Sequence, residues 1–187
     1  MLRRASPVCL AMLLVCAAAA GANEIDSAHS RFGFSLQTRF GQTVQGRFPR
    51  YAGEVETLSD ARQQVRLQLD TRAVEIIGNR RYTDFSRSEK FFDATRHPAI
   101  EFVSDPYPAS LLHDGGDLAG MLTLRGVSRR EVFVVAAATC ARPLHACDVV
   151  ARGSVRREDY GMDAYGYLLR NRVRFTLNVR LRPQDEA

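Results

Sequence analysis

Residues 87–105 read Arg-Ser-Glu-Lys-Phe-Phe-Asp-Ala-Thr-Arg-His-Pro-Ala-Ile-Glu-Phe-Val-Ser-Asp, and this stretch decides the fold. Phe91 and Phe92 close a short polar segment and need an apolar seat. His97-Pro98 then stops any helix, because proline has no N–H to donate and pushes the residue before it towards extended geometry. From there Ile100, Phe102 and Ser104 alternate with Glu101, Val103 and Asp105, the period of a half-buried strand. A lone helical plug between long strands is one way for a β-barrel to close an end.

The same period runs through the rest of the chain. Phe32, Phe34 and Leu36 face one way, with Arg31, Gly33, Ser35 and Gln37 on the other side. Val65, Leu67 and Leu69 alternate with Arg66, Gln68 and Asp70. The last strand is the cleanest, with Val173, Phe175, Leu177, Val179 and Leu181 set against Arg174, Thr176, Asn178, Arg180 and Arg182. Further strands are expected around 42–48, 52–58, 72–77, 117–125, 130–139 and 148–156, separated by turn signals. Those signals include Arg125-Gly126 and Asp114-Gly115-Gly116-Asp117, which reads as a hairpin tip and not a calcium loop. Only residues 79–90 read as helical. Long one-faced strands favour closure, which removes exposed edges. A barrel of about eight strands has room for packed side chains or for one small ligand. The ten phenylalanines, with no tryptophan, either line an apolar tunnel or fill the core.

The N-terminus reads as a targeting segment. Arg3 and Arg4 give a basic start, Val8 to Ala20 is apolar, and Ala20-Gly21-Ala22 fits a small-residue cleavage site. The expected organisation is a signal peptide over 1–22, cleaved on export, and one domain over 23–187. Lipid attachment at Cys16 is the rival reading, but Val15 stands where a small residue is wanted. Without Arg3 and Arg4 the formal charge falls from +5 to +3, and no basic block with interleaved aromatics appears. Nucleic acid is therefore not an expected partner. Cys140 and Cys147 remain, an even pair in an oxidising compartment, and are expected to form a disulfide. Closing so short a loop stabilises by roughly 2–3 kcal/mol on the chain-entropy estimate. A redox dithiol is disfavoured by the lack of a CxxC. A metal site with His145 lacks a second ligand pair, so no metal is expected.

Several segments together resemble the YceI family. They are Asp26-Ser27-Ala28-His29-Ser30 with Phe32-Gly33-Phe34, Gly46-Arg47-Phe48, Arg87-Ser88 with Phe91-Phe92-Asp93, and His97 to Ser104. Leu122 to Arg129 and Tyr160-Gly161-Met162 follow in the family's order, so the likeness covers essentially the whole mature chain. The resemblance implies an extended, antiparallel, eight-stranded lipocalin-like β-barrel with a short plugging helix. It also implies a periplasmic, non-catalytic binding or carrier protein for a long-chain amphiphile, an isoprenoid quinone or polyisoprenoid, in an apolar tunnel. No cofactor is implied beyond that lipid. The chain departs from the family at Tyr82-Thr83-Asp84-Phe85-Ser86, where many members carry an Asp and a His, and at Thr38-Arg39, where a family histidine is missing. Tail binding is the safer inheritance and the head group is open.

The candidate ligand contacts are Phe34, Leu36, Phe91, Phe92, Phe102, Leu122, Met162 and Phe175, each with a plain packing role as its alternative. Arg87 is the candidate for a quinone carbonyl or phosphate, since guanidinium offers several fixed donors; its alternative is a solvated helix charge or a partner for Glu89 or Asp93. Asp26, His29 and Ser30 lie too close along the chain for a catalytic triad, and no catalytic residue is expected. His29 is expected to make structural hydrogen bonds at the barrel mouth. Two other readings stay open: an enzyme using the same tunnel on a hydrophobic metabolite, and a structural partner of a membrane redox protein. Transient contact with a membrane surface and a homodimer are open as well.

Overall fold

Residues 22–183 are described by the computed structural model, so the expected signal peptide and Cys16 lie outside the described residues. The strands are β1 (Ala22–Glu24), β2 (Arg31–Thr38), β3 (Thr43–Arg47), β4 (Tyr51–Thr57), β5 (Gln63–Asp70), β6 (Glu75–Ile76), β7 (Ala99–Ser104), β8 (Gly116–Leu124), β9 (Val127–Val135), β10 (Val149–Arg156) and β11 (Leu169–Val179). Two helices accompany them, α1 (Arg80–Arg87) and α2 (Leu111–Asp114). All neighbouring strands are antiparallel, in the order β1-β4-β5-β7-β8-β9-β10-β11-β2-β3-β6. The sheet curls until the β1 side meets the end of β11: Ile25 bridges Leu181, Asp26 N donates to Arg180 O at 2.8 Å and Arg182 N to Glu24 O at 2.9 Å.

Eleven strands stand where eight were expected, and the extra ones have local causes. A turn over 26–30, closed by Ser30 N on Asp26 O at 2.9 Å, separates β1 from β2. Phe48-Pro49-Arg50 separates β3 from β4, where Pro49 has no N–H for a ladder. The strand expected over 72–77 shrinks to β6, because Asp70 accepts from Arg72 N at 2.9 Å and turns residues Thr71–Ala73 into a single 3₁₀ turn.

The 79–90 expectation resolves as α1, entered through Asn79, whose side chain accepts from Tyr82 N at 3.0 Å. A second helix, α2, was not expected. Its C-cap is Gly115, at φ 74°, and Gly116 opens β8, so Asp114-Gly115-Gly116-Asp117 is a helix-to-strand junction and not a hairpin tip. Arg125-Gly126 does form the two-residue turn between β8 and β9, both residues at positive φ as primed turns require. Strand β9 therefore begins at Val127 and ends at Val135, earlier than the expected 130–139. Cys140 and Cys147 are disulfide-bonded.

The inward faces carry the alternating residues. On β11, Val173, Phe175 and Leu177 are buried while Arg174 and Thr176 are exposed. Phenylalanine rings run through the interior as a connected series. Phe102 meets Phe133 at 5.0 Å, Phe133 meets Phe175 at 6.4 Å, and Phe175 meets Phe34 at 6.3 Å. Phe34 in turn packs on Phe48 at 5.4 Å and Phe92 at 5.8 Å.

Burial also sets an alkaline limit on the fold. It pushes the Tyr107 hydroxyl from 10.0 up to about 12. Burial likewise raises the hydroxyl of Tyr160, which donates to Glu131 Oε1 at 2.7 Å. A folded-state pKa above the unfolded value contributes stability that is whole below pH 10.0 and lost as pH climbs towards about 12. The thermal midpoint should fall across that window, and less steeply in Tyr107→Phe; an unchanged slope in that variant would clear Tyr107 of the effect.

Candidate functional site

Where β2, β3 and β11 face the α1 segment, the interior is not filled but opens into a cavity of about 400 Å³. Phe34 and Leu36 of β2, Val44 of β3 and Val173 and Phe175 of β11 form its strand side. Tyr82, Phe85 and Ser86 of α1 border it, with Phe91 and Phe92 from the turn that follows. Leu124 at the end of β8, Val155 of β10 and Met162 complete the wall. The lining is overwhelmingly apolar.

Helix α1 is held in place by side-chain bonds to the segment before it. Thr83 Oγ1 accepts from Ile76 N at 2.8 Å, and the Arg87 guanidinium donates to Val74 O through Nη2 at 2.8 Å and Nε at 3.2 Å. Phe92 N donates back to Ser86 O at 3.0 Å, which folds Phe91-Phe92 against the helix end. Phe34 owes its position to the opposite strand. It pairs with Gly46, and a Cβ built on Gly46 would stand 2.3 Å from Phe34 Cζ, so the ring lies where a side chain would otherwise be.

Among the described residues that line the cavity, Arg157 is the one charged side chain. It is 1% exposed and borders the cavity. Its Nη1 donates to Met162 O and to Ala164 O, the latter at 2.7 Å, while Nε and Nη2 are buried without a hydrogen-bond partner. Burial pulls its pKa down, opposed by the Glu158 and Asp163 carboxylates and reinforced by Arg39. Sequence reading missed this residue, although a signal was present. Val149, Ala151, Gly153 and Val155 follow the inward parity of β10, and Arg157 is the next position in that series.

Six expected contacts, Phe34, Leu36, Phe91, Phe92, Met162 and Phe175, line the cavity. Phe102, Leu122 and Arg87 do not. Phe102 is packed against Phe133 deeper in the core, Leu122 is its cross-strand neighbour on β8, and Arg87 is engaged with the Val74 carbonyl. His29 sits in the turn before β2, at the end away from Thr38 and the cavity, with Nδ1 2.5 Å from Asp26 Oδ2. That hydrogen bond holds the Asp26 carboxyl below its ordinary value. Among the described residues no three His, Cys, Asp or Glu side chains gather to hold a metal ion.

Residues 24–181 match the family model for the YceI-like domain. The fold is similar to the crystal structure of BcnA from Burkholderia cenocepacia, with a TM-score of 0.67 and 18% identity over 83% of this chain and 98% of that one. It is also similar to a polyisoprenoid binding domain from Saccharophagus degradans implicated in plant cell wall breakdown, at 0.63 and 16% over 86% and 99%. A Campylobacter jejuni YCEI protein follows at 0.56 and 16% over 74% and 85%. No curated protein matches the sequence.

Proposed function

The chain belongs to the YceI-like domain family, and from that premise we propose that it is a non-catalytic periplasmic carrier for a long-chain amphiphilic lipid, an isoprenoid quinone or another polyisoprenoid. The observation that carries this reading is the cavity of about 400 Å³, apolar on almost every side, beneath a helix that the sequence sets apart from the strands. The family likeness to a polyisoprenoid binding domain supports it. Taking β1 with β2 and β3 with β4 as two bent strands, β5 and β7 to β11 complete an eight-stranded barrel, and α1 is its plug. Each methylene moved from water into such a cavity contributes about 0.8 kcal/mol, so a hydrocarbon tail is held without polar contacts. Export follows from the basic, apolar and small-residue order of residues 1–22.

Mass spectrometry of an organic extract tests this, using protein purified without detergent from its native compartment. A stoichiometric long-chain lipid is the expected result. Protein that arrives empty and ignores added quinones and prenyl lipids would sink the carrier reading and turn attention to the surface.

The lipid needs a route that avoids water, and the cavity rim favours a transient membrane contact. Phe40, 78% exposed, Tyr82 and Phe85 border the cavity, with Tyr167, 71% exposed, beside the cavity-lining Tyr165 at 6.2 Å. Arg39, Arg80, Arg81 and Lys90 are exposed around them, and among the described residues none of the four is in a salt bridge. Asp84 and Glu89 are the nearby carboxylates along the same segment. Lys90 stands over the Tyr165 ring at 5.7 Å and Arg39 Nε donates to Gly166 O at 2.7 Å, so these two cations are held at the rim with no carboxylate to neutralise them. Exposed aromatic rings with such cations suit an interface of anionic head groups. Cosedimentation with phosphatidylglycerol vesicles should exceed that with phosphatidylcholine vesicles, and Tyr167→Ser with Arg81→Ser should reduce it several-fold. Equal binding to both vesicle types would refute the contact.

A further inference from the structure

We propose that the cavity selects an amphiphile whose polar end is an oxyanion, a carboxylate or a phosphate, held on the free edge of the Arg157 guanidinium. This rests on the lipid-binding reading above and names the ligand class it leaves open. The geometry starts from which nitrogens are occupied. Nη1 is spent on the carbonyls of Met162 and Ala164, which ties the approach to the last strand. Nε and Nη2 are left over, and these two lie on one edge of the planar group. Their N–H bonds run parallel, the fork that receives two oxygens of a carboxylate or phosphate at once. A single quinone carbonyl can accept from both donors, as the Val74 carbonyl does from Arg87, but a carbonyl or an alcohol offers one oxygen and no negative charge to the buried cation.

Charge points the same way. Arginine stays protonated in proteins, so a cation is buried in an apolar wall. Among the described residues no carboxylate forms a salt bridge with it. Glu158 takes the Asn171 side-chain amide at 2.6 Å and stands 3.7 Å from Arg156, and Asp163 is exposed. Arg39 adds further positive charge from the β2–β3 side. A buried charge without a partner is costly, and a buried donor without an acceptor calls for an explanation. A ligand oxyanion supplies both missing elements. The Tyr165-Gly166-Tyr167 turn screens the edge: a Cβ built on Gly166 would stand 3.8 Å from Nη2. Seating the head group displaces that turn.

The test is calorimetric titration of the delipidated full chain with four probes of similar tail: farnesoic acid, farnesyl phosphate, farnesol and a farnesyl-substituted quinone. At pH 7.5 the acid and the phosphate should bind at least tenfold more tightly than farnesol and the quinone. Lowering the pH through the carboxylate range, about 4 to 5, should erase the advantage of the acid while the singly charged phosphate keeps its own. A natural preference for one oxyanion shows as a difference between these two arms. Arg157→Met should bring all four probes to one affinity, and Arg157→Lys should keep the charge but lose most of the selectivity through loss of the fork. Because Nη1 also supports the 162–164 turn, selectivity of the unaltered chain decides if neither variant folds. Farnesol binding as tightly as the acid and the phosphate overturns the inference and leaves the carrier reading standing. Failure of all four to bind overturns both.

Discussion

Truncation of Phe133 to alanine is expected to lower folding stability by about 3–5 kcal/mol and to lengthen the tail that the cavity accepts. The ring is 4% exposed and packs edge-on to Phe102 at 5.0 Å and to Phe175 at 6.4 Å. It also covers Gly153, its partner on β10, where a Cβ would stand 2.6 Å from Phe133 Cδ1. Glycine brings no side chain to fill the hole, so collapse around an alanine is poor and the cost falls towards the upper part of that range. Phe175, which Phe133 supports from behind, is a wall of the cavity. At about 400 Å³ the cavity is at the lower end of ligand pockets, which run from roughly 300 to 1,000 Å³. Room made behind Phe175 should therefore favour longer prenyl chains over short ones. Urea unfolding measures the first effect and a tail-length series the second. A loss under about 1 kcal/mol would show that the site relaxes, and an unchanged length preference would show that Phe133 is not what ends the cavity.

Period-two alternation made the strands legible because a strand with one wet and one dry face has no other way to be written. Phe175 and Arg174 could be assigned to opposite faces from β11 alone. Depth was not legible in the same way. Phe102 and Phe175 share the inward face, yet one is packed in the core and the other borders the cavity. That difference depends on how β7 and β11 are staggered through the intervening strands, which no local pattern records. The interruptions at 26–30 and 48–50 rest on single turns, and α2 has only four residues, too few to show a helical period. Arg157 was hidden for a different reason. Parity puts it inside, but charge argues for outside, and the conflict between the two was itself the sign of a special position. Arg87 is the reverse case: its charge offered a ligand contact or a carboxylate partner, and its Nε and Nη2 instead donate to the Val74 carbonyl, a backbone partner that no local pattern records.

Gly46→Val should close the cavity from its strand side, lowering lipid affinity at least tenfold while costing about 1–3 kcal/mol of stability through overpacking. The reason is the cross-strand pairing of Phe34 with Gly46. Three ring atoms of Phe34 would fall 2.3, 2.5 and 3.0 Å from a Cβ at this position, so the ring has to leave. Phe48, Phe92 and Phe175 already crowd its other sides, at 5.4, 5.8 and 6.3 Å. The cavity is the unfilled space beside it, and the displaced ring enters the volume that a tail would occupy. The double variant Gly46→Val with Phe34→Ala separates this from simple damage to β3. Removing the ring gives the new side chain its place, so affinity should recover most of the tenfold loss and the two stability costs should sum to more than the double variant shows. Strong positive coupling of this kind belongs to residues in direct contact. Additive costs, with no recovery of binding, would mean that Gly46→Val distorts the strand pair and that Phe34 does not gate the cavity.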